Sequence, residues 1–460
     1  MAISALLNTA KESLLSHQLA IDVTGSNIAN VNTPGYSRQT AIFNSTGVMD
    51  VRSGVLQIGV DVSGIERVYD NYLESQIIQQ SQLVGYQETK AGILSNVETI
   101  FDESKGGGFA ELLGRFWGNW EDLSGDPDGQ VQRSAVLNTA ESLAAMFRDM
   151  SAGLKDIRSN TEQEISSVVT QINSIVSAIG DLNEQIIGAG STQGNANVML
   201  DNRTELLKSL GNLIDINTVE GRDGSIKVFL SDGGLLVDGT MTRSLALESR
   251  STDPSVSDIV FTDQPGEAIT NSIKQGKLGA LLDVREEIIP RYLGFLDTLA
   301  KGIADEVNAV HRAGFDRYRN TGINFFDPVT KAEDMRVNAE ISGDINRIAA
   351  SSTVLGDGDN ALKLSELGQK QLLNGGLSTF GDYYTSIVGQ IGQDVANCNW
   401  SVEHQNNIME HLTNLRESIS GVSVDEEMVK LIKYQLGYNA AGKLCSVVDE
   451  MLDTLMSIHQ

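Results

Sequence analysis

His404 and His411 stand seven residues apart, about two helical turns, so a helix would carry both on one face. Two imidazoles in that arrangement could begin a metal site. Zinc chemistry needs a carboxylate or further ligands at fixed spacing beside them, and none accompanies this pair. A solvated place at the edge of a helix seam fits the spacing better. "GDGDN" at 356–360 starts like a calcium loop but lacks the later glycine and the closing glutamate, which leaves a polar turn. Cys398 and Cys445 are too few for a disulfide framework and have no metal-ligand spacing, so both read as small buried hydrophobes. Neither a GxxxxGK[ST] phosphate loop nor a GxSxG nucleophile elbow occurs. The sequence therefore assigns no catalytic residue, no metal ligand and no cofactor, and the chain reads as not an enzyme.

What is ordered in this sequence is its apolar periodicity. Ile3, Leu7, Ala10, Leu14, Ile21 and Ile28 form a stripe at heptad spacing, with polar His17 and Thr24 in the remaining slots, so the first helix seeks a helical partner. It must stop near Ala29, because the residue before Pro34 is pushed to an extended conformation. Thr33-Pro34-Gly35-Tyr36 then carries the proline and glycine of a type II turn. Short strands follow in "TAIF" and "GVLQIGVDVSGI", with Ile58, Val60 and Val62 on one face, and then a helix from about Asn71 to Phe101. "GDPDG" at 125–129 is a loop.

Val136, Ala140, Leu143, Phe147, Met150, Leu154 and Ile157 repeat at intervals of four and three. After a phase slip, Ile165, Val168, Ile172, Ile175, Ile179, Leu182 and Ile186 continue the rhythm. About fifty residues in this phase predict a rod of roughly 75 Å. Alternating apolar residues with Asp-Gly pairs at 223–224, 232–233 and 238–239 predict hairpins in 211–271. Helices return at 278–312, and a second seam runs from Tyr384 to Leu412. Gly421 ends that seam, and Ser423 with Glu426 offers a capping box to a last helix bearing Met428, Leu431, Leu452 and Leu455.

The fold class is thus mainly α with a small inserted β domain: an elongated bundle of coiled-coil rods, with the N- and C-terminal helices paired. The predicted division is 1–40 and 422–460 as terminal helices, 41–210 and 272–421 as a helical rod domain with short strands, and 211–271 as a β-rich insert. The balance of 34 Lys+Arg against 61 Asp+Glu gives a formal charge of −27, and no basic run breaks it. Nucleic acid is excluded as a partner on that ground. No stretch nears the ~18 apolar residues of a membrane span, so no membrane insertion is predicted. The first residues also lack a signal peptide's basic start, apolar run and cleavage site. Terminal helices with unpartnered stripes point to a subunit of an assembly.

"SNIANVNTPGYSR" at 26–38 resembles the N-terminal signature of bacterial flagellar axial proteins, the rod, hook and hook-associated proteins. "GVDVSGIERVYDNYLESQ" is similar to the stretch that follows it, with Arg67, Asp70 and Leu73 at matching places, and "SISGVSVDEEMVKLIKYQLGYNAAGKLCSVVDEMLDTLMSI" to the C-terminal signature. "GNANVMLDNRTELLKSLGNLIDI", "GKLGALLDVREEIIPRYLGFLDTLAKGIADEVNAVHRAGFD" and "TFGDYYTSIVGQIG" resemble the hook-associated members that join hook to filament.

The resemblance implies a structural subunit of the flagellum in a self-assembled, homo-oligomeric ring at the hook–filament junction. It implies the hook protein, a second hook–filament junction protein and a flagellar export chaperone as partners. It also implies an extracellular location, reached through the flagellar type III apparatus without a cleaved signal peptide. Assembly residues are then the turn Asn30, Asn32, Thr33, Pro34, Gly35 and Tyr36, and the seam positions Ile3, Leu7, Leu14, Ile21, Ile28, Met428, Leu431, Leu452 and Leu455. Longer members carry an additional outer domain in the β region, for which this chain has no room. A hook or distal-rod subunit is the nearest alternative, but the long 136–186 rod argues against those proteins, which are β-rich between their termini. An enzyme carried on axial ends would need an acid pair, triad or metal set in 211–271 or 320–380, and none can be assigned there.

Overall fold

A computed structural model describes residues 2–45, 48–51, 54–57, 59–103, 107–189, 193–354 and 356–458. The chain opens with α1 (Ala2–Ala29) and turns at Thr33–Tyr36, where the Tyr36 N–H donates to the Thr33 carbonyl at 3.2 Å and Gly35 takes φ +77°. Four short strands follow: β1 (Gln39–Ser45), β2 (Val48–Val51), β3 (Gly54–Gln57) and β4 (Val60–Arg67). β1 and β4 pair antiparallel from Gln39 opposite Arg67 to Ser45 opposite Val60, with a bulge at Ile42/Phe43. Val60 and Val62 turn inward together, as the alternation predicts, while Ile58 lies outside the described residues.

The body is built from α2 (Asn71–Ile100), α3 (Phe109–Gly125), α4 (Gln130–Ala189) and α5 (Gln193–Leu213). α2 starts at Asp70, whose carboxylate accepts from the N–H groups of Tyr72 and Leu73, two donors a helix start otherwise leaves unpaired. α4 is one unbroken helix of 60 residues, about 90 Å long. Its buried stripe runs as predicted through Val136, Phe147, Leu154, Ile165, Ile172 and Ile179, but three positions differ, the first being Ile157, which is only half-buried. Val176 and Asn183 are buried where the spacing selected Ile175 and Leu182. Asn183 is held inside because its amide donates to the carbonyls of Ile226 and Gly239 and accepts from Arg203, so a hydrogen-bond network sets that turn's phase.

Seven strands come next: β5 (Ile216–Glu220), β6 (Ile226–Leu230), β7 (Leu235–Asp238), β8 (Met241–Thr242), β9 (Leu245–Arg250), β10 (Asp253–Phe261) and β11 (Gln264–Ala268). They form an antiparallel sheet β5-β6-β7-β8 and another ordered β11-β10-β9. Gly224, Gly233 and Gly239 all have positive φ, as the Asp-Gly turns require. The inner faces of these strands lie against α4, so Val228, Val237 and Leu245 join the same apolar core as the helices.

The chain returns through α6 (Gly276–Asp283), a π-helical turn (Val284–Ile288) and α7 (Ile289–Ala313). An irregular stretch holding α8 (Ala339–Gly343) and α9 (Asp359–Glu366) leads to α10 (Phe380–Ser420) and α11 (Val424–Ile458). Among the described residues, the body's core is closed by Phe109, Phe116, Trp120, Phe325, Phe326 and Phe380, all fully buried. α10 packs along α2, and α11 returns to lie along α1. The mainly α class, the rods and the paired termini are thus what the structure has.

Candidate assembly site

The two terminal helices run antiparallel, with α11 sinking a narrow line of residues against α1. Glu427, Ala441 and Val448 are buried and Tyr434 half-buried along that line, all at multiples of seven. From α1, Ala10, Ser16, Ala20, Val23, Thr24 and Asn27 are buried. Small side chains dominate here, so the two backbones approach closely. His17 packs over Gly437, between Phe43 and Tyr434, and burial pushes its imidazole pKa down.

Much of the apolar surface on this pair faces outward. Leu7 on α1 and Met428, Val429, Ile432, Leu436, Met451 and Leu452 on α11 are exposed, the last at 37 %. Of the predicted seam residues, Leu14, Ile21, Ile28 and Leu431 are half-buried at the edges of the pair, while Leu7, Met428 and Leu452 lie on its outer face. The side chains of Ile3 and Leu455 lie outside the described residues. Large exposed apolar patches mark protein–protein, membrane or ligand interaction sites.

The turn after α1 is a polar joint between this pair and the body. Tyr36 donates its hydroxyl to Asn27 Oδ1 at 2.9 Å, the Gln39 N–H donates to the same oxygen, and Asn27 Nδ2 donates to the Gln39 carbonyl and to Glu427 Oε2 at 2.8 Å. Desolvation raises the Tyr36 pKa; Ser26 opposes that shift and the charges of Asp201 and Glu427 add to it. Arg416 of α10 donates to the carbonyls of Gly35 and Tyr36 and to Glu74 of α2, which also pairs with Lys208 of α5 at 2.9 Å. Asp201 of α5 accepts from the Ser37 N–H and binds Arg67 at 3.0 Å. Within the turn, Asn30 returns its amide to the Ser26 carbonyl and accepts from Thr33. Asn32 and Pro34 are exposed. A Cβ on Gly35 would come within 2.6 Å of Glu205 Cδ, so a side chain there must displace the partly exposed Glu205 side chain.

Asn27, Glu74, Asp201, Arg416 and Glu427 escaped the sequence reading. Glu427 did leave a trace, a charged residue one helical turn before the predicted seam residue Leu431. The capping of α11 is weaker than predicted: Ser423 Oγ lies 3.5 Å from the Glu426 nitrogen, and the Glu426 carboxylate pairs with Arg38 at 3.1 Å.

The residues that suggested chemistry are dispersed. His404 is exposed and stacks on Trp400, and His411 is exposed farther along α10. Asp357 of the "GDGDN" turn is bound internally. Burial would raise its pKa, but the N–H groups of Val354, Ser352 and Thr353 and the Thr353 hydroxyl hold it far below the usual carboxylate range. Cys398 is buried against Gln87, and burial pushes its thiol up. Among the described residues, no three His, Cys, Asp or Glu side chains gather as for a metal, and no helix is long and apolar enough to cross a membrane.

The family model of the flagellar hook-associated protein FlgK helical domain matches residues 94–326, half of the chain and most of the body. The chain belongs to that family. Two further models match the ends of this hook-associated chain: flagella basal body rod protein at residues 7–36, and the flagellar basal body rod FlgEFG protein C-terminal region at 416–458. Flagellar hook-associated protein 1 of Bacillus subtilis is 28 % identical, covering 98 % of this chain and 97 % of that one. The protein of the same name in Escherichia coli is 24 % identical over 99 % of this chain and 100 % of its own length. The solved flagellar hook junction protein FlgK of Burkholderia pseudomallei shares the fold with a TM-score of 0.68 at 17 % identity, covering 75 % of this chain and 100 % of that one. This hook-associated chain is a structural subunit of the bacterial flagellum at the junction of hook and filament, and the relatives it matches are structural flagellar proteins.

Proposed function

We propose that this hook-associated subunit builds a homo-oligomeric ring at the distal end of the hook through the outward apolar face of α1 and α11, and that it acts as a joint without catalysis. The observation that carries this reading is that face: Leu7, Val429, Ile432, Leu436 and Met451 stay exposed while the body has closed its own core. Residues 1–40 and 422–460 serve as the inner assembly domain. Residues 41–210 and 272–421 form the outer rod domain, and 211–271 its β-rich insert. Hook protein and a second hook–filament junction protein adjoin the ring on its two sides. Before export, a flagellar chaperone covers the apolar face of α11. The chain then leaves through the flagellar type III apparatus without losing a signal peptide. The turn Asn30–Tyr36 is where the chain leaves the inner tube and builds outward.

Deletion of residues 1–40 or of 425–460 tests the reading. Electron microscopy of cells producing only the truncated chain should show hooks without filaments, with flagellin shed into the medium. Filaments on hooks in such cells would overturn it.

A further inference from the structure

Apolar packing alone does not choose the register of the terminal helices. Leu7, Leu14, Ile21 and Ile28 recur every seven residues on α1, and Glu427, Tyr434, Ala441 and Val448 recur at the same interval on α11. A slip of one heptad, about 10 Å, brings the half-buried Leu14, Ile21 and Ile28 back to equivalent places along the edges of the seam. Two contacts break this degeneracy. Asn27 Nδ2 donates to Glu427 Oε2 at 2.8 Å, and each residue is 1 % exposed. The amide is fixed in that sense because its oxygen already accepts from the Tyr36 hydroxyl and the Gln39 N–H. Ten residues along each helix, His17 fills the notch at Gly437, where a Cβ would lie 2.5 Å from Nε2. Equal steps in opposite directions put both contacts in one antiparallel register, about 15 Å apart.

We infer that the Asn27–Glu427 pair, seconded by the His17–Gly437 notch, selects the register of α1 against α11. Slipped one heptad one way, Glu427 falls opposite Ala20 and His17 opposite Lys430. Slipped the other way, Glu427 runs past the end of α1 to Pro34, and Asn27 meets Tyr434. Either slip takes the carboxylate away from its amide donor, while Lys430, which pairs with Glu427 at 2.6 Å from the same helix, moves with it. Leaving a buried carboxylate without that donor weighs against the register by roughly ten- to a hundredfold. The outer face is then aligned by polar groups beneath it. This deepens the assembly reading but concerns pairing inside one chain.

The test is cross-linking with a short bis-maleimide in flagella from cells making the full-length chain with Cys398→Ala and Cys445→Ser. Leu14→Cys with Gly442→Cys reports the native register, since a Cβ at Gly442 would lie 4.0 Å from Leu14 Cδ2. Leu14→Cys with Gln435→Cys or with Asp449→Cys reports the two slips. The unaltered lock should cross-link only in the native pair. Asn27→Asp sets a carboxylate against Glu427, and should cut the native cross-link at least about tenfold, through slippage or loss from the junction. Glu427→Gln alone should keep it, because a glutamine oxygen still accepts from Asn27. The double variant Asn27→Asp/Glu427→Gln should recover part of both cross-link and incorporation, as the glutamine amide donates to the new carboxylate while the Gln39 carbonyl stays without the donor that Asn27 supplied. An unchanged native cross-link in Asn27→Asp, or a double variant that recovers nothing, would overturn the inference. Junctions built by terminally deleted chains would sink the assembly reading instead, and leave the register result standing.

Discussion

α4 and α11 are both long amphipathic helices, yet they finish their apolar stripes in opposite ways. α4 covers Val136, Phe147, Leu154, Ile165, Ile172 and Ile179 completely, against α3, α5, α7 and the strands. α11 covers only Glu427, Ala441 and Val448 among its described residues, and leaves Val429, Ile432, Leu436 and Met456 in solvent. The difference lies in neighbours rather than in composition. A helix in the middle of the chain finds partners within it, whereas the terminal pair finds one partner and leaves a second face in solvent.

This contrast can be broken or sharpened by experiment. In the body, Phe116→Ala should lose about 3–5 kcal/mol, because Trp120, Phe325 and Phe326 cannot collapse into the space. Urea denaturation would measure it, and a loss below about 1 kcal/mol would mean that the body is less tightly closed than described.

The next largest effect is the body's response to acid. His311 is fully buried, with Nδ1 donating to the Ile323 carbonyl and Nε2 accepting from the Ala349 N–H. Burial pushes its pKa down from 6.5 to about 4, against the opposing hydrogen bond to Ile323 and the charge of Asp316. Between those two values the unfolded chain binds more protons than the folded one, so stability falls as the pH drops. The contribution of the neutral ring is complete above pH 6.5 and is lost by about pH 4, a span of roughly 3 kcal/mol. His311→Gln should therefore be most destabilising at pH 7, and its gap from the parent should close toward pH 4. A gap that stays constant across that range in urea titrations would refute this assignment.

At the joint, Gly35→Val should cost about 1–3 kcal/mol through the positive φ, with the crowding at Glu205 added. It should also impair swimming in soft agar, and normal motility would show that the turn tolerates change. The smallest effect belongs to the outer face. Ile432→Ser and Leu436→Ser should leave the melting of the body within about 0.5 kcal/mol of the parent while filaments fail to attach. Destabilisation on the scale of Phe116→Ala would mean that this face is packed within the subunit after all.

Much of the architecture was legible because it rests on local signals. The four-three spacing of 136–186, the Asp-Gly hairpins, the Pro-Gly turn and the stripes at both ends each act over a few residues. α3 was missed: its Phe109, Leu112, Leu113, Phe116, Trp120 and Leu123 follow a helical period, but they lie between two loops and near glycines 106–108. Val176 and Ile175 are equal candidates by periodicity, and only the packed neighbours decide between them. The joint was the least legible part. Arg416 and Glu74 are separated by 342 residues, and Asn27 and Glu427 by 400. No periodicity carries such pairs, because each exists only once the chain has closed on itself.

The joint also has a mechanical consequence. Flat apolar contacts shear sideways easily, since one methyl group replaces another as surfaces slide. Hydrogen bonds resist sideways displacement because each is directional. From Lys208 the chain of contacts passes through Glu74 and Arg416 to the carbonyls of Gly35 and Tyr36, then through Asn27 to Glu427. A twist applied to the terminal pair enters the body along that line, through three separate helices at once. In a rotating machine, that makes the bend after α1 a keyed coupling rather than a hinge.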